Sequence, residues 1–225
     1  KRQKIYPREV HGRFAILRTA SVVVLLGLYF ILPWLEMNGR PMVLFDLPER
    51  KFYVFWLTFW PQDFMLLAWA LIISAFALFT ATVLIGRVWC GFSCPQTVWT
   101  MMFMSIEDLC EGDRNQRIKL DKSPWNFNKF KKRGSKFFLW GLLAFVTSLT
   151  FVGYYNPIRE LVPEILSFSA HPAAVFWTFT FALLTFMNAG FLREQVCMYM
   201  CPYARFQSVM FDKDTLIVSY DEERG

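Results

Sequence analysis

The chain has 225 residues, is 55% hydrophobic and 19% aromatic, and carries a formal net charge of +6. Only 19% of its residues are charged, against about 25% in a typical soluble domain, and the apolar residues fall in blocks, so an ordinary soluble domain is excluded. No basic stripe lies on a soluble face; nucleic-acid binding is excluded, and the positive charge is left to explain membrane topology.

The chain lacks an initiating Met and stops within the polar stretch SYDEERG, so we expect a piece of a longer protein. The first apolar block is 14–35, FAILRTASVVVLLGLYFILPWL. It is too long for a cleaved signal peptide and no small-residue cleavage site follows it. The run FYVFWLTFW at 52–60 is too short to span. Rich in aromatics and bounded by Lys51 and Pro61, it is expected to lie in the membrane interface. The second block is 64–85, with Asp63 placed to cap its start. The third is 137–155 and the fourth 173–192. His171-Pro172 reads as the start of the fourth helix. Asn188, Thr178, Thr180 and Thr185 are expected to hydrogen-bond between helices. Each block approaches or exceeds the ~20 residues that cross a ~30 Å hydrocarbon core.

Lys and Arg set the orientation. Twenty lie before or just inside block one, between blocks two and three, or after block four; four lie in the two other connections. The positive-inside bias places the first group, and both ends of the chain, in the cytoplasm. The basic loop 111–136, with its Lys129 to Arg133 run, is expected to be solvated and to face anionic lipid headgroups.

All five cysteines then lie on the cytoplasmic side, where a reducing compartment favours metal binding or redox chemistry over structural disulfides. Four of them repeat one pattern: Cys90 and Cys94 in CGFSCP, Cys197 and Cys201 in CMYMCP. A residue before proline is pushed out of the α region, and proline is tolerated at the first helical position. Each spanning helix should therefore end at its motif, and Pro95 and Pro202 should open short cytoplasmic helices. Cys94 and Cys201 would then sit at helix N-termini, where N–H groups and the dipole favour a thiolate.

These readings define an all-α integral membrane protein: four transmembrane helices in two parallel helix-hairpin repeats, N-in/C-in. The parts are a cytoplasmic segment 1–13, a first repeat 14–95, a basic loop 96–136, a second repeat 137–202 and a tail 203–225. An axis along the membrane normal would bring the two cysteine pairs together. Four thiolates suit an iron–sulfur cluster, zinc or Cu(I). Met198, Met200, Met101, Met102 and Met104 are softer donors nearby, read chiefly as core fillers. Cys110 is unpartnered in its segment and is read as structural. His11 and His171 fall on opposite sides of the bilayer, which excludes a bis-His haem. Arg87 and Arg193 precede the motifs, either as positive-inside anchors or as electrostatic support for the thiolates.

At GRVWCGFSCPQTVWT and REQVCMYMCPYARFQSVMFDKDTLIVSYD the chain resembles the CcoG/FixG/RdxA family, accessory proteins for assembly of the cbb-type cytochrome c oxidase; the likeness runs from IYPREVHGRF to the end. The resemblance implies a cupric reductase of the bacterial inner membrane, with copper handling or electron transfer at Cys90, Cys94, Cys197 and Cys201. It implies two further 4Fe–4S clusters in a ferredoxin-like domain beyond this chain. It also implies membrane lipids, copper ions and oxidase assembly factors or a copper transporter as partners. Oligomeric state is left open, a homodimer being the candidate. Two alternatives stand beside it. One is a membrane scaffold with a structural metal. The other is quinol-linked electron transfer as in the NapH and NosR relatives, which needs a quinone pocket; Trp89, Trp99 and Trp125 could line one, but an interfacial aromatic belt explains them better.

Overall fold

A computed structural model of the chain describes residues 12–37, 39–124, 126–210 and 215. Four of its helical stretches are long and apolar enough to cross a membrane: Arg13–Trp34, Pro61–Ile85, Phe127–Val152 and Pro172–Met200.

Helix α1 is Arg13–Ile31 and ends in a tight turn over Leu32–Trp34, where Pro33 removes the next helical donor. The connection that follows departs from an all-α chain. A two-stranded hairpin pairs β1 (Glu36–Met37) with β2 (Arg40–Pro41). A three-stranded antiparallel sheet follows in the order β3 (Val43–Asp46), β4 (Lys51–Val54), β5 (Leu57–Phe59). The 52–60 run is therefore strand and turn. Aromatic and β-branched residues such as Phe52, Tyr53 and Val54 favour a pleated surface, and Arg50 and Phe55 turn the chain at positive φ (55° and 54°). The sheet is tied to the far end of the bundle: Phe45 N–H donates to the Tyr154 carbonyl (2.8 Å).

Helix α2 (Phe64–Ile85) has none of its apolar window buried. Its far end is pinned: Thr82 and Tyr203 share a hydroxyl hydrogen bond, and the Thr215 hydroxyl donates to the Val83 carbonyl (2.9 Å). Asp63 stands at the α2 N-cap position, but its carboxylate accepts from the Trp60 N–H (3.0 Å) and so closes the preceding Pro61–Asp63 turn.

Helix α3 is Pro95–Glu111, α4 is Arg114–Lys122 and α5 is Phe127–Val152. The expected solvated basic loop is thus mostly helix, and α5 begins ten residues before the apolar block. The reason is local pairing. Lys129 Nζ donates to the Asp121 and Ser123 carbonyls (3.2 and 2.7 Å), and Arg133 bonds Asp121 (2.5 Å). Lys129, Lys136 and Arg117 are buried.

Helix α6 (Ile158–Leu166) fills the next connection, and α7 is Pro172–Thr185. His171 caps α7 as expected, its Nδ1 accepting from the Ala173 N–H (3.3 Å). The chain then widens into a π-helical stretch, Phe186–Leu192, and breaks at Arg193 (φ 29°) into the three-residue α8 (Arg193–Gln195). A π-helical turn, Val196–Met200, leads into α9 (Pro202–Val209). The threonines of α7 do not cross-link helices as donors. Thr178 and Thr180 bond back to Ala174 and Phe176 four residues earlier, as hydroxyls in helices commonly do. The link between α5 and α7 runs from the Ser148 hydroxyl to the Thr178 carbonyl (2.5 Å).

One core cluster joins Phe103, Trp140, Ala144 and Ala189; another joins Val22, Leu26 and Val98. Both include α3, with Phe103 at 0% exposure and Val98 at 1%. Helix α3 is therefore an interior element, where a short cytoplasmic helix was expected. It runs antiparallel to α5. Near its C-terminal end Glu107 meets Lys136, the Phe103 carbonyl accepts from Trp140 Nε1 (2.9 Å), and Trp99 Nε1 donates to Thr147 Oγ1 (3.2 Å). The N-terminal end of α3, and Cys94 with it, thus points back into the bundle. Helix α9, of eight residues, keeps the expected short length.

Candidate metal centre

The two motifs are built alike. After α2, Gly86 turns the chain at φ 68°, a left-handed value that suits glycine. Trp89–Ser93 then forms a π-helical turn, and Cys94 is extended (φ −61°, ψ 127°) before Pro95 opens α3. In the second motif Val196–Met200 forms the same turn, and Cys201 is extended (φ −81°, ψ 111°) before Pro202 opens α9. Each second cysteine closes its turn with one matching bond: Cys94 N–H to the Trp89 carbonyl and Cys201 N–H to the Val196 carbonyl, both 2.9 Å. The physical cause is the proline, which denies the α region to the cysteine before it. Both cysteines therefore stand at helix N-caps, as the sequence implies.

All five cysteines are free and half-buried. Cys94, Cys201 and Cys197 all lie close enough to Cys90 to act on its ionisation. Cys197 in turn lies within electrostatic range of Cys94 and Cys201. The structure therefore gathers the four motif thiols, from two segments about a hundred residues apart. Burial, and then the three neighbouring thiols, push the Cys90 thiol above its ordinary range, against a smaller opposite pull from Arg87. Cys110 stands apart, beside the Ser135 hydroxyl (3.7 Å), in keeping with a structural role.

Other side chains fix the site, and these carried no signal in the sequence. Gln207 on α9 is 1% exposed. It accepts from the Cys90 thiol at 3.6 Å and donates to the Gly86 carbonyl at 3.3 Å, so the helix after the second motif clasps the first. Gln96 on α3 does the reverse, its Nε2 donating to the carbonyls of Asn188 (3.1 Å) and Arg193 (3.2 Å). The Thr97 hydroxyl donates to the Cys90 carbonyl (2.6 Å), and Ser21 on α1 to the Phe92 carbonyl (2.9 Å). A polar side chain with a backbone partner far away in sequence leaves no periodic trace, which is why the sequence is silent on these.

The arginines separate. Arg87 acts electrostatically on Cys90, in line with support of the thiol site. Arg193 serves the fold: Nη2 donates to Glu107 Oε2 at 2.7 Å, and its guanidinium lies 5.4 Å from the Trp140 ring centroid. Lys136 and Arg117 complete the charge balance around Glu107, at 3.6 and 3.7 Å. Burial opposes a charge on Glu107, yet the Arg193 hydrogen bond and the three cations together hold its carboxyl below the usual range.

Met198 and Met200 are 62% and 69% exposed, and Met101 and Met102 pack against the α1 core cluster. Trp89 is exposed and Trp99 is engaged with Thr147 and Tyr29. Trp125 and His11 lie outside the described residues.

The donor set can be tested for fit. A single tetrahedral zinc at about 2.3 Å from each sulfur draws four thiolates to within roughly 4 Å of one another. Among the described residues no three His, Cys, Asp or Glu side chains converge tightly enough to hold one ion. A cubane of four irons has girth of its own, so its four cysteine sulfurs stand further apart. Four free thiols within electrostatic range of one another are donors of the type that a 4Fe–4S cluster takes.

Fold and site together define a polytopic membrane protein with paired cysteine motifs of the iron–sulfur type. Comparison with known proteins agrees. Residues 67–104 match a family described as a 4Fe-4S binding domain, and residues 192–225 one described as a 4Fe-4S dicluster domain. Each match contains one of the cysteine pairs. Iron–sulfur signatures therefore lie in this chain itself, where the resemblance had placed the 4Fe–4S clusters beyond it. The chain is 37% identical to nitrogen fixation protein FixG of Rhizobium meliloti, over 100% of this chain and 44% of that protein. It is 40% and 38% identical to the RdxB and RdxA proteins of Cereibacter sphaeroides, again over its full length, covering 48% and 49% of theirs. Over its full length the chain is similar to these FixG, RdxB and RdxA proteins, and it spans about half the length of the curated relatives it matches. No solved structure matches it.

Proposed function

We propose that Cys90, Cys94, Cys197 and Cys201 hold one 4Fe–4S cluster in a membrane electron-transfer protein that reduces Cu(II) to Cu(I) for assembly of a cbb-type cytochrome c oxidase. The observation that carries the reading is the gathering of four free thiols from two like-built motifs, each inside an iron–sulfur family match. Four cysteine thiolates complete one such cluster, and the chain has five cysteines, so one is what it can ligate alone. A cluster held there would accept and release single electrons. The protein's own residues supply the rest: the prolines set the cysteine backbones, Gln207 and Gln96 lock the motifs together, and Arg87 offsets negative charge on the sulfurs.

Cu(II) is the substrate, and each ion takes one electron from a reduced iron–sulfur donor. In this reading the chain sits in a bacterial inner membrane with both ends cytoplasmic and the two helix hairpins related as parallel repeats. The matching π-helical turn and extended cysteine at each motif support the repeat, and the bias of twenty cationic residues against four supports the orientation. Oxidase assembly factors or a copper transporter would receive Cu(I).

The test is iron and acid-labile sulfide per chain in protein purified without oxygen, with its visible spectrum, alongside cupric reduction by vesicles of the full-length protein. Four irons and four sulfides per chain support the cluster. Zinc, or a colourless protein with iron absent, overturns it. Full cupric reduction in all four single Cys-to-Ser variants overturns the role in copper chemistry.

A further inference from the structure

A partly open cavity of about 450 Å³ lies against the start of α3, on the bundle side of Cys94. Its volume falls within the 300–1,000 Å³ range of small-molecule sites. Four helical segments build it: α1, α3, α5 and the α7 segment with its π-helical continuation. The aromatic rings of Tyr29, Trp99, Phe151 and Phe181 form walls. These walls brace one another. Trp99 meets Tyr29 edge to face at 5.1 Å, Tyr29 donates to the Thr147 carbonyl (2.8 Å), and Phe151 and Phe181 meet at 4.7 Å. The rings are therefore held in place without any ligand.

The polar lining is the second observation. Thr185 and Asn188 both line the cavity. Among the described residues neither the Thr185 hydroxyl nor the Asn188 carboxamide makes a side-chain hydrogen bond, although their neighbours do. A span-depth polar group with no partner is costly, because lipid offers it none. Asn188 donates through nitrogen and accepts through oxygen, and Thr185 does both through one atom. Aromatic walls with two unmet hydrogen-bonding groups suit a flat ring that carries oxygen atoms. The cavity is partly open, which leaves room for an apolar tail on such a ring. An acyl chain fits the walls but leaves both polar groups unmet. Pro95, the residue next to Cys94, is part of the lining, so a ring bound here lies against the metal centre.

We infer that this cavity binds the ring of a lipid-soluble quinone, with Asn188 and Thr185 as its hydrogen-bonding partners. The assignment deepens the electron-transfer reading and rests on it for its redox sense; the binding itself does not depend on the cluster. The site differs from the set Trp89, Trp99 and Trp125, which the sequence favours as an aromatic belt over a quinone pocket. Trp99 belongs to it, Trp89 is not in its lining, and Trp125 lies outside the described residues.

The experiment is isothermal titration of a short-tailed benzoquinone into the full chain in phosphatidylcholine nanodiscs, for wild type, Asn188→Leu, Thr185→Val and a variant with all four motif cysteines changed to Ser. We expect one saturable site per chain, weakened tenfold or more by Asn188→Leu and several-fold by the near-isosteric Thr185→Val, with iron content unchanged in both. Binding that persists in the cysteine-free variant upholds the cavity even where the cluster reading fails. Absence of saturable binding in the wild type overturns the inference, as does equal affinity in wild type, Asn188→Leu and Thr185→Val, the result expected of a non-specific lipid groove.

Discussion

Arg193, the residue at the break between the π-helical stretch and the second motif, donates from Nη2 to Glu107 Oε2 at 2.7 Å. One contact thus fixes the second cysteine motif to the helix that begins at the first. Glu107 is 5% exposed and has Lys136 and Arg117 as further partners. Removing Arg193 takes away the shortest partner of this buried charge and leaves Lys136 and Arg117, so the cost is below the about 3–5 kcal/mol of a fully stranded charge. Arg193→Ala is therefore expected to lower the thermal midpoint of unfolding in detergent by several degrees. Arg193→Lys should restore part of the loss, because a point charge replaces the planar fork. An unchanged midpoint in Arg193→Ala would show the pair to be idle.

The pH dependence of this contact has a definite sign. The Glu107 carboxyl is held below its usual range in the folded protein, by Arg193 and the other cations against the pull of burial. Its contribution to stability is present above the unfolded carboxylate pKa and is lost as pH falls through the folded value. Glu107→Gln should remove that part of the acid dependence, so wild type and variant should converge in stability at strongly acid pH. Parallel curves from neutral to acid pH would refute the assignment.

At the thiols the expected behaviour is slow reaction in metal-free protein. Burial and the neighbouring sulfurs raise the Cys90 thiol above its ordinary range, and alkylation needs the thiolate. Iodoacetamide should therefore label Cys90 more slowly than a free cysteine at pH 8, with the gap closing as pH rises. Mass spectrometry of the peptide reads this directly, and faster labelling than free cysteine would contradict it.

Gln207→Leu keeps the size of a residue that is 1% exposed but removes the carboxamide beside Cys90, to which the thiol donates in metal-free protein, and the bond to the Gly86 carbonyl. Hydrogen bonding around cluster sulfurs sets reduction potential. A redox titration followed by electron paramagnetic resonance should show a shifted midpoint with iron content retained. Gln207→Glu serves as the size-matched control. An unmoved potential in both would leave Gln207 a packing residue.

Single Cys-to-Ser changes at positions 90, 94, 197 and 201 should each cut iron content by at least half, since each removes one of four ligands. Cys110→Ser should leave it unchanged, because Cys110 lies apart beside Ser135. Loss of iron in Cys110→Ser alone would move the metal centre elsewhere.

The sequence by itself determined the four spans, because crossing a bilayer is a matter of length and apolar composition. It determined the local form of both motifs, because proline constrains its neighbour whatever surrounds it: Cys94 and Cys201 are extended N-caps for that reason alone. The tertiary structure decided what depends on meetings between distant segments. It put α3 inside the bundle, since Phe103 can be buried only where Trp140 and Gly190 come to meet it. It turned the basic segment into helices, since Arg117, Lys129 and Lys136 are stable there only beside their partners. It folded 36–59 into strands, whose pairing is set by register between neighbours. It also gathered the four thiols and placed Gln207 and Gln96 across them. Periodicity records which face of an element is apolar; it carries no record of which other element that face will meet.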